Sequence, residues 1–284
     1  MNAGCIARIV GGALLAVVDV AVALEIETRW VPELDGEGAT RPRLVLSGRV
    51  QRGDAVKVAR AFAILPLDQF DGVVLHSPGG VFTEGRRIGE LLEHFLVRVI
   101  VREPFACASA CFVMYVGAAM RHAHGFPQPN TLAVHRGFLP PDRAAAMSIE
   151  ALERMLAFEQ EVIPRWLEEH GVPGDIIAIV VGGKVAPLVA LNQEDIDRIG
   201  PRSPRYDTWI ETRCTGSGKH ASWTARELPP QVAPDELAQA QERRQCEATR
   251  VDAERRYRQF ALQTALDAAD RREAMRTQPA NPSR

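Results

Sequence analysis

The chain has 284 residues, 46% hydrophobic and 25% charged, with 36 acidic against 34 basic side chains and a formal net charge of −2. This is ordinary globular arithmetic. It argues against a disordered chain, which would be poorer in apolar residues, and against a multi-span membrane protein, which would need several uncharged runs of about 18 residues or more. The near-zero balance leaves no electrostatic footprint for nucleic acid, and five cysteines are too few for a disulfide-built scaffold.

At the N-terminus Arg8 is the only charge in the first eighteen residues, and Ile9 to Leu24 is apolar apart from Asp19, closing with Ala21-Val22-Ala23. A positive start, a short apolar stretch and small residues at a cut site predict a signal peptide over 1–23, and hence a periplasmic or secreted protein. The Asp19 carboxylate weakens insertion, which leaves two alternatives. One is an uncleaved anchor that would associate the protein with a membrane, the other a first buried segment of a cytosolic fold. Cleavage would discard Cys5 and leave Cys107, Cys111, Cys214 and Cys246 where disulfides persist.

Residues 24–41 read as a Pro- and Gly-containing lead, and Leu44 to Gly48 as a strand. Asp54 to Leu65 carries apolar residues at helical spacing, and Gly72 to His76 is a short buried strand running into Ser77-Pro78-Gly79-Gly80. Thr83 to Val97 is helical, Val97 to Arg102 strand-like, Ser109 to Met120 an apolar helix and Thr131 to His135 a strand. This alternation predicts an α/β domain with parallel pairing. Ser148 to His170 reads as an amphipathic helix bent near Pro164, and Pro173 to Val181 as a second helix. Prolines punctuate the chain from Pro201, Asp235 to Met275 forms a charged helical stretch, and the end of the chain predicts disorder. The boundaries are a domain over 42–203, a partly helical extension over 204–275 and a tail over 276–284.

Two segments carry chemistry. In Ser77-Pro78-Gly79-Gly80 the glycines let backbone amides turn outward at a strand end, half of what an oxyanion site needs. In Cys107-Ala108-Ser109-Ala110-Cys111, small residues open an apolar helix and put Ser109 at its positive end. His135 ends the next strand. A serine, a histidine to take its proton and two opposed amides are the minimum for acyl transfer. Taken singly, these residues are more often a turn, a helix cap and a structural histidine.

Their order and spacing resemble the serine peptidases of the Clp protease proteolytic-subunit family, within the wider Clp/crotonase superfamily. Ser109 lies 32 residues after Ser77, and His135 lies 26 after Ser109, preceded by Pro129-Asn130-Thr131. Leu191 to Gly200 is a weaker echo, and the likeness spans about Leu44 to Gly200. The Cys-Ala-Ser-Ala-Cys segment, Gly117 and Arg121 are also similar to uncharacterised bacterial periplasmic Clp-like proteins.

The resemblance implies a spiral of strand-helix units, Ser109 as nucleophile, His135 as general base, and Gly80 and Ala110 as oxyanion-hole amides. It implies a peptide or protein substrate, no cofactor and no metal, and a homo-oligomer built through the helical region around Trp166. Export would exclude unfolding driven by a cytosolic ATPase partner, so action without ATP is expected. The family's catalytic Asp should fall just before Leu191, but Ala186-Pro187-Leu188-Val189-Ala190 contains no acid. Asp175, Asp195 and Asp197 are the nearest substitutes. Otherwise the site is a Ser-His dyad, or the chain is a binding or assembly module without activity. A crotonase-like acyl-CoA enzyme is a further alternative.

Cys107 and Cys111 allow a local disulfide, two buried thiols or metal ligation, and Cys214 with Cys246 form the other pair. His122 and His124 read as loop histidines rather than metal ligands.

Overall fold

The computed structural model describes residues 23–32, 40–70, 72–102, 104–123, 131–137, 144–182, 188–214 and 234–277. Residues 1–22 of the expected export signal, His124, Pro129, Asn130 and the tail after Thr277 lie outside the described residues.

The main sheet starts inside the stretch expected as a lead. β1 (Glu25–Pro32) pairs antiparallel with β2 (Thr40–Ser47), from Glu25 against Ser47 to Pro32 against Thr40. It is an edge strand, where a terminal proline is tolerated, and it leaves Trp30 exposed while burying Val31; Leu24, just before it, is buried as well.

From β2 the chain winds through strand-helix units. α1 (Asp54–Ile64) leads to β3 (Val73–His76), α2 (Phe82–His94) to β4 (Arg98–Val101), and after β5 (Cys107–Ala108) α3 (Ala110–Gly117) leads to β6 (Met120–Ala123). The sheet order is β1-β2-β3-β4-β6, with every pairing from β2 onward parallel. Strand alternation then divides the side chains. Leu44, Leu46, Leu75 and Val99 join Val58, Phe62, Leu92 and Phe112 in the main core, while Val45, Val74 and Ile100 cluster with Val31 on the opposite face. A small second sheet sets β5 parallel to β7 (Leu132–Val134), which pairs antiparallel with β8 (Val189–Ala190).

α3 ends three residues before its expected boundary at Met120, and β6 follows at once. His122 therefore lies in a strand, in register with Ile100, and not in a loop. The long amphipathic helix is present in three parts: α4 (Ile149–Ala157), a π-helical turn (Phe158–Val162) and α5 (Ile163–Glu169). Pro164 opens α5 and cannot donate to the preceding turn, so the hydrogen-bond register shifts just before it. Trp166 and Leu167 enter the core, as expected of that stripe.

α6 (Gly174–Val181) and α7 (Gln193–Ile199) follow. α8 (Pro204–Glu211) was not anticipated, although Ser203-Pro204 is a start signal: the Ser203 hydroxyl accepts from Tyr206 N–H and proline takes the first turn.

The charged C-terminal stretch is one helix, α9 (Pro234–Thr277). Its polar side chains hold it against the body. Arg255 donates to the carbonyls of Phe95 and Leu96 at the end of α2, at 3.1 and 2.9 Å, and Gln259 to those of Phe62 and Leu65 at the end of α1, both at 2.7 Å. Helix ends leave carbonyls without intrahelical partners, and cationic or amide donors suit them. Glu247 accepts from Arg202 and from the Tyr206 hydroxyl, and Val251 is buried. Among the described residues no helix is long and apolar enough to cross a membrane.

Candidate active site

β3 delivers the glycine turn. Ser77 is buried, donates its N–H to Ala106 and accepts at its hydroxyl from Gly79 N–H, which folds the chain back on itself. Gly79 has φ 97°, and a Cβ there would lie 2.6 Å from the Ser109 Cβ and 2.7 Å from the Ala108 carbonyl oxygen. Gly80 has φ 144°, and a Cβ there would meet the Val50 oxygen at 2.0 Å. Both positions require glycine for contact as well as for conformation. The turn is pinned from its other side: Val50 N–H donates to Gly79 O at 2.8 Å and Val81 N–H to Val50 O at 2.9 Å. That pairing uses the groups on either side of Gly80, so the Gly80 N–H is directed away from Val50.

Ser109 sits where β5 turns into α3, half-buried, at φ 57° and ψ −120°. This is a conformation glycine adopts freely and an L-residue holds only under constraint, at about 1–3 kcal/mol. The constraints are visible. Ser109 N–H donates to Ala133 O in β7 at 3.1 Å, Gly79 abuts its Cβ, and Cys107 and Cys111 are joined by a disulfide with Cα atoms 5.1 Å apart, both fully buried. A serine on a strained strand-to-helix turn has its hydroxyl presented at the helix start, where the first-turn amides, Ala110 N–H among them, have no partner within the helix.

β7 delivers His135. Its Nδ1 lies 2.6 Å from the main-chain oxygen of Arg136. A proton on Nδ1 donates to that oxygen, which fixes the tautomer and leaves Nε2 with a lone pair. Ser109, His135 and Gly80 line one cavity of about 1190 Å³, together with Phe82, Phe112, Met155 and Phe158. Phe82 and Phe158 meet edge to face in its lining, with centroids 6.3 Å apart.

The three carboxylates considered as the third member lie elsewhere. Asp175 is exposed and held by Arg198, whose hydrogen bonds keep its carboxyl below the ordinary range. Asp195 completes the capping box of α7, its N–H donating to Asn192 Oδ1 at 2.9 Å. Asp197 accepts from Gln193 Nε2 at 2.7 Å. None of them lines the cavity that holds Ser109 and His135. Among the described residues the carboxylate that does line it is Glu159, on the π-helical turn. A π turn inside a helix often marks a functional position, but it leaves no mark in residue order, and nothing in the residue order singles out Glu159.

Cys214 and Cys246 form a second disulfide that joins the end of α8 to α9, with Cα atoms 6.0 Å apart. Among the described residues no group of three or more His, Cys, Asp or Glu is placed to hold a metal ion.

No family model matches the chain, and no curated protein does. Solved structures that resemble it include a membrane-bound stomatin-specific protease. As a serine-to-alanine mutant it is 14% identical with a TM-score of 0.38, covering 60% of this chain and 82% of that one. As a lysine-to-alanine mutant in complex with a substrate peptide it is 13% identical with a TM-score of 0.38, covering 60% and 78%. An enoyl-CoA hydratase from Mycobacterium avium subsp. paratuberculosis K-10 is 13% identical with a TM-score of 0.29, covering 85% and 92%. The activities in those names belong to those proteins. This chain has a mixed α/β fold in which a constrained serine, a histidine of fixed tautomer and a pinned glycine turn border one cavity.

Proposed function

We propose that the chain is a serine hydrolase of the Clp-like kind, a peptidase that works through an acyl-enzyme on Ser109 without ATP, cofactor or metal. The observation that carries this reading is the strained Ser109 packed against Gly79 and sharing a cavity with His135. Strain of this kind persists only where the surroundings enforce it, and it concentrates at reacting groups.

In the mechanism, Ser109 Oγ attacks the scissile carbonyl carbon while His135 Nε2 takes its proton. The developing oxyanion is held by the N–H groups of Gly80 and Ala110. The C–N bond breaks as Nε2 returns the proton to the leaving amine. Water, deprotonated by Nε2, then releases the acid and restores Ser109. The Arg136 carbonyl orients the ring as a carboxylate would, but it is neutral and stabilises the imidazolium less. Acylation by an activated reagent is therefore expected to be readily seen, and peptide turnover to be slow. The buried Cys107–Cys111 bridge and the Cys214–Cys246 bridge support export to an oxidising compartment. Exposed Ile149, Leu156 and Val162 around α4 support a subunit contact.

A second reading, a binding or assembly module without turnover, is favoured by one observation: the His135 partner is a main-chain carbonyl. Reaction with a fluorophosphonate separates the two. One label per chain is expected, lost in Ser109→Ala and slowed at least about 100-fold in His135→Ala. A folded protein that takes no label, or labelling undiminished in Ser109→Ala, sinks the hydrolase.

A further inference from the structure

The cavity at Ser109 is lined by side chains of two kinds. Phe82, Phe112, Met155, Phe158 and Val180 are apolar. Among the described residues that line it, the charged ones are Arg49, Arg52 and Arg136, against the one carboxylate of Glu159. The guanidinium groups are attached to the parts of the site that hold its geometry. Arg49 and Arg52 flank the segment whose Val50 is hydrogen-bonded to Gly79 and Val81. Arg136 follows His135 and supplies the oxygen that receives its Nδ1 proton.

A pronounced excess of positive charge in a cleft with low-dielectric walls concentrates anions and rejects cations. The net charge of the whole chain is −2, so this local excess is not a sample of the average surface. Arg49 and Arg52 are exposed, as rim residues that meet a charged ligand must be. Arg136 adds its charge while also bonded within the protein.

Resting on the hydrolase reading above, we propose that the site selects acidic peptides: substrates with an apolar side chain among the Phe residues of the lining and Asp or Glu close to the scissile bond, meeting Arg49 and Arg52. Charge complementarity favours this occupant over a neutral or basic peptide, and the apolar side chains of the lining favour it over a free anion.

The test uses matched fluorogenic peptides that differ only in Asp, Asn or Lys beside a Leu at the cleavage point. Rates are scaled to the number of chains that an uncharged fluorophosphonate labels. The Asp peptide is expected to be cleaved about tenfold faster than the Asn peptide, and the advantage to shrink in high salt. The advantage should disappear or reverse in the double variant Arg49→Glu/Arg52→Glu. Affinity of Ser109→Ala for fluorescein-tagged versions of the same peptides, read by anisotropy, should follow the same order.

Labelled protein that treats Asp and Asn peptides alike overturns the charge selection while leaving the hydrolase standing. So does a preference that survives the charge reversal, or hydrolysis confined to acyl-CoA thioesters. If the wild-type protein takes no label, the hydrolase reading has failed, and equal affinity of Ser109→Ala for both peptides then overturns the acidic preference as well.

Discussion

Ser109 combines two roles that compete. Its hydroxyl is presented because its backbone is held at φ 57°, and the same backbone costs the protein stability. Ser109→Gly and Ser109→Ala both remove the hydroxyl, but only glycine relaxes the conformation. Ser109→Gly is expected to be more stable than Ser109→Ala by about 1 kcal/mol, from the midpoint of urea unfolding monitored by circular dichroism. Equal midpoints would mean that Ser109 carries no strain. His135 shows the limit of what residue order reveals. The histidine stood out, whereas its Nδ1 partner is a main-chain oxygen, and main-chain oxygens occur at every residue. A search for the missing acid near Leu191 had no physical means of finding it.

At the scale of elements, the strand-helix alternation and most helices were legible because buried strands and amphipathic helices have distinct periods. β1 was missed because an edge strand needs only one apolar face and this one is interrupted by Glu27 and Arg29. β6 was missed because Ala110 to Ala119 is apolar almost without a break, so periodicity could not mark where the helix stops at Gly117.

Elsewhere, helices are joined by polar groups. Glu93, in the last turn of α2, accepts from the Ser203 hydroxyl ahead of α8 at 3.1 Å and faces His170, which follows α5, and Arg205. Burial works against its charge, but His170, Arg205 and Ser203 together hold the carboxyl below its ordinary 4.5. The folded protein therefore binds this proton more weakly than the unfolded chain does. The stabilisation is complete above the unfolded value and is lost as the pH falls through the lowered native one. Glu93→Gln is expected to cost stability at pH 7 and to lose less than the wild type on acidification from about pH 5 to pH 3. Urea midpoints across that range decide it, and parallel curves for the two proteins would rule out the ionised role of Glu93.

For the whole molecule, the decisive addition is α9. Composition marked it as a charged appendage, yet its Arg255 and Gln259 close the carbonyl ends of α2 and α1. α2 begins at Phe82, just after the glycine turn, and finishes under α9, so the helix that leaves the site is capped by α9. The Cys214–Cys246 bridge gives this arrangement a second covalent path. A single backbone cut anywhere between those two residues does not divide the protein, because the sulfurs still connect its halves. α9 then remains at the high effective concentration of an intramolecular partner. A nicked sample should run as two fragments on a reducing gel and one band on a non-reducing gel, and should melt in one transition until a reductant is added. Two bands without reductant would exclude the bridge. The protein can thus lose the continuity of its main chain between residues 214 and 246 and remain a single molecule.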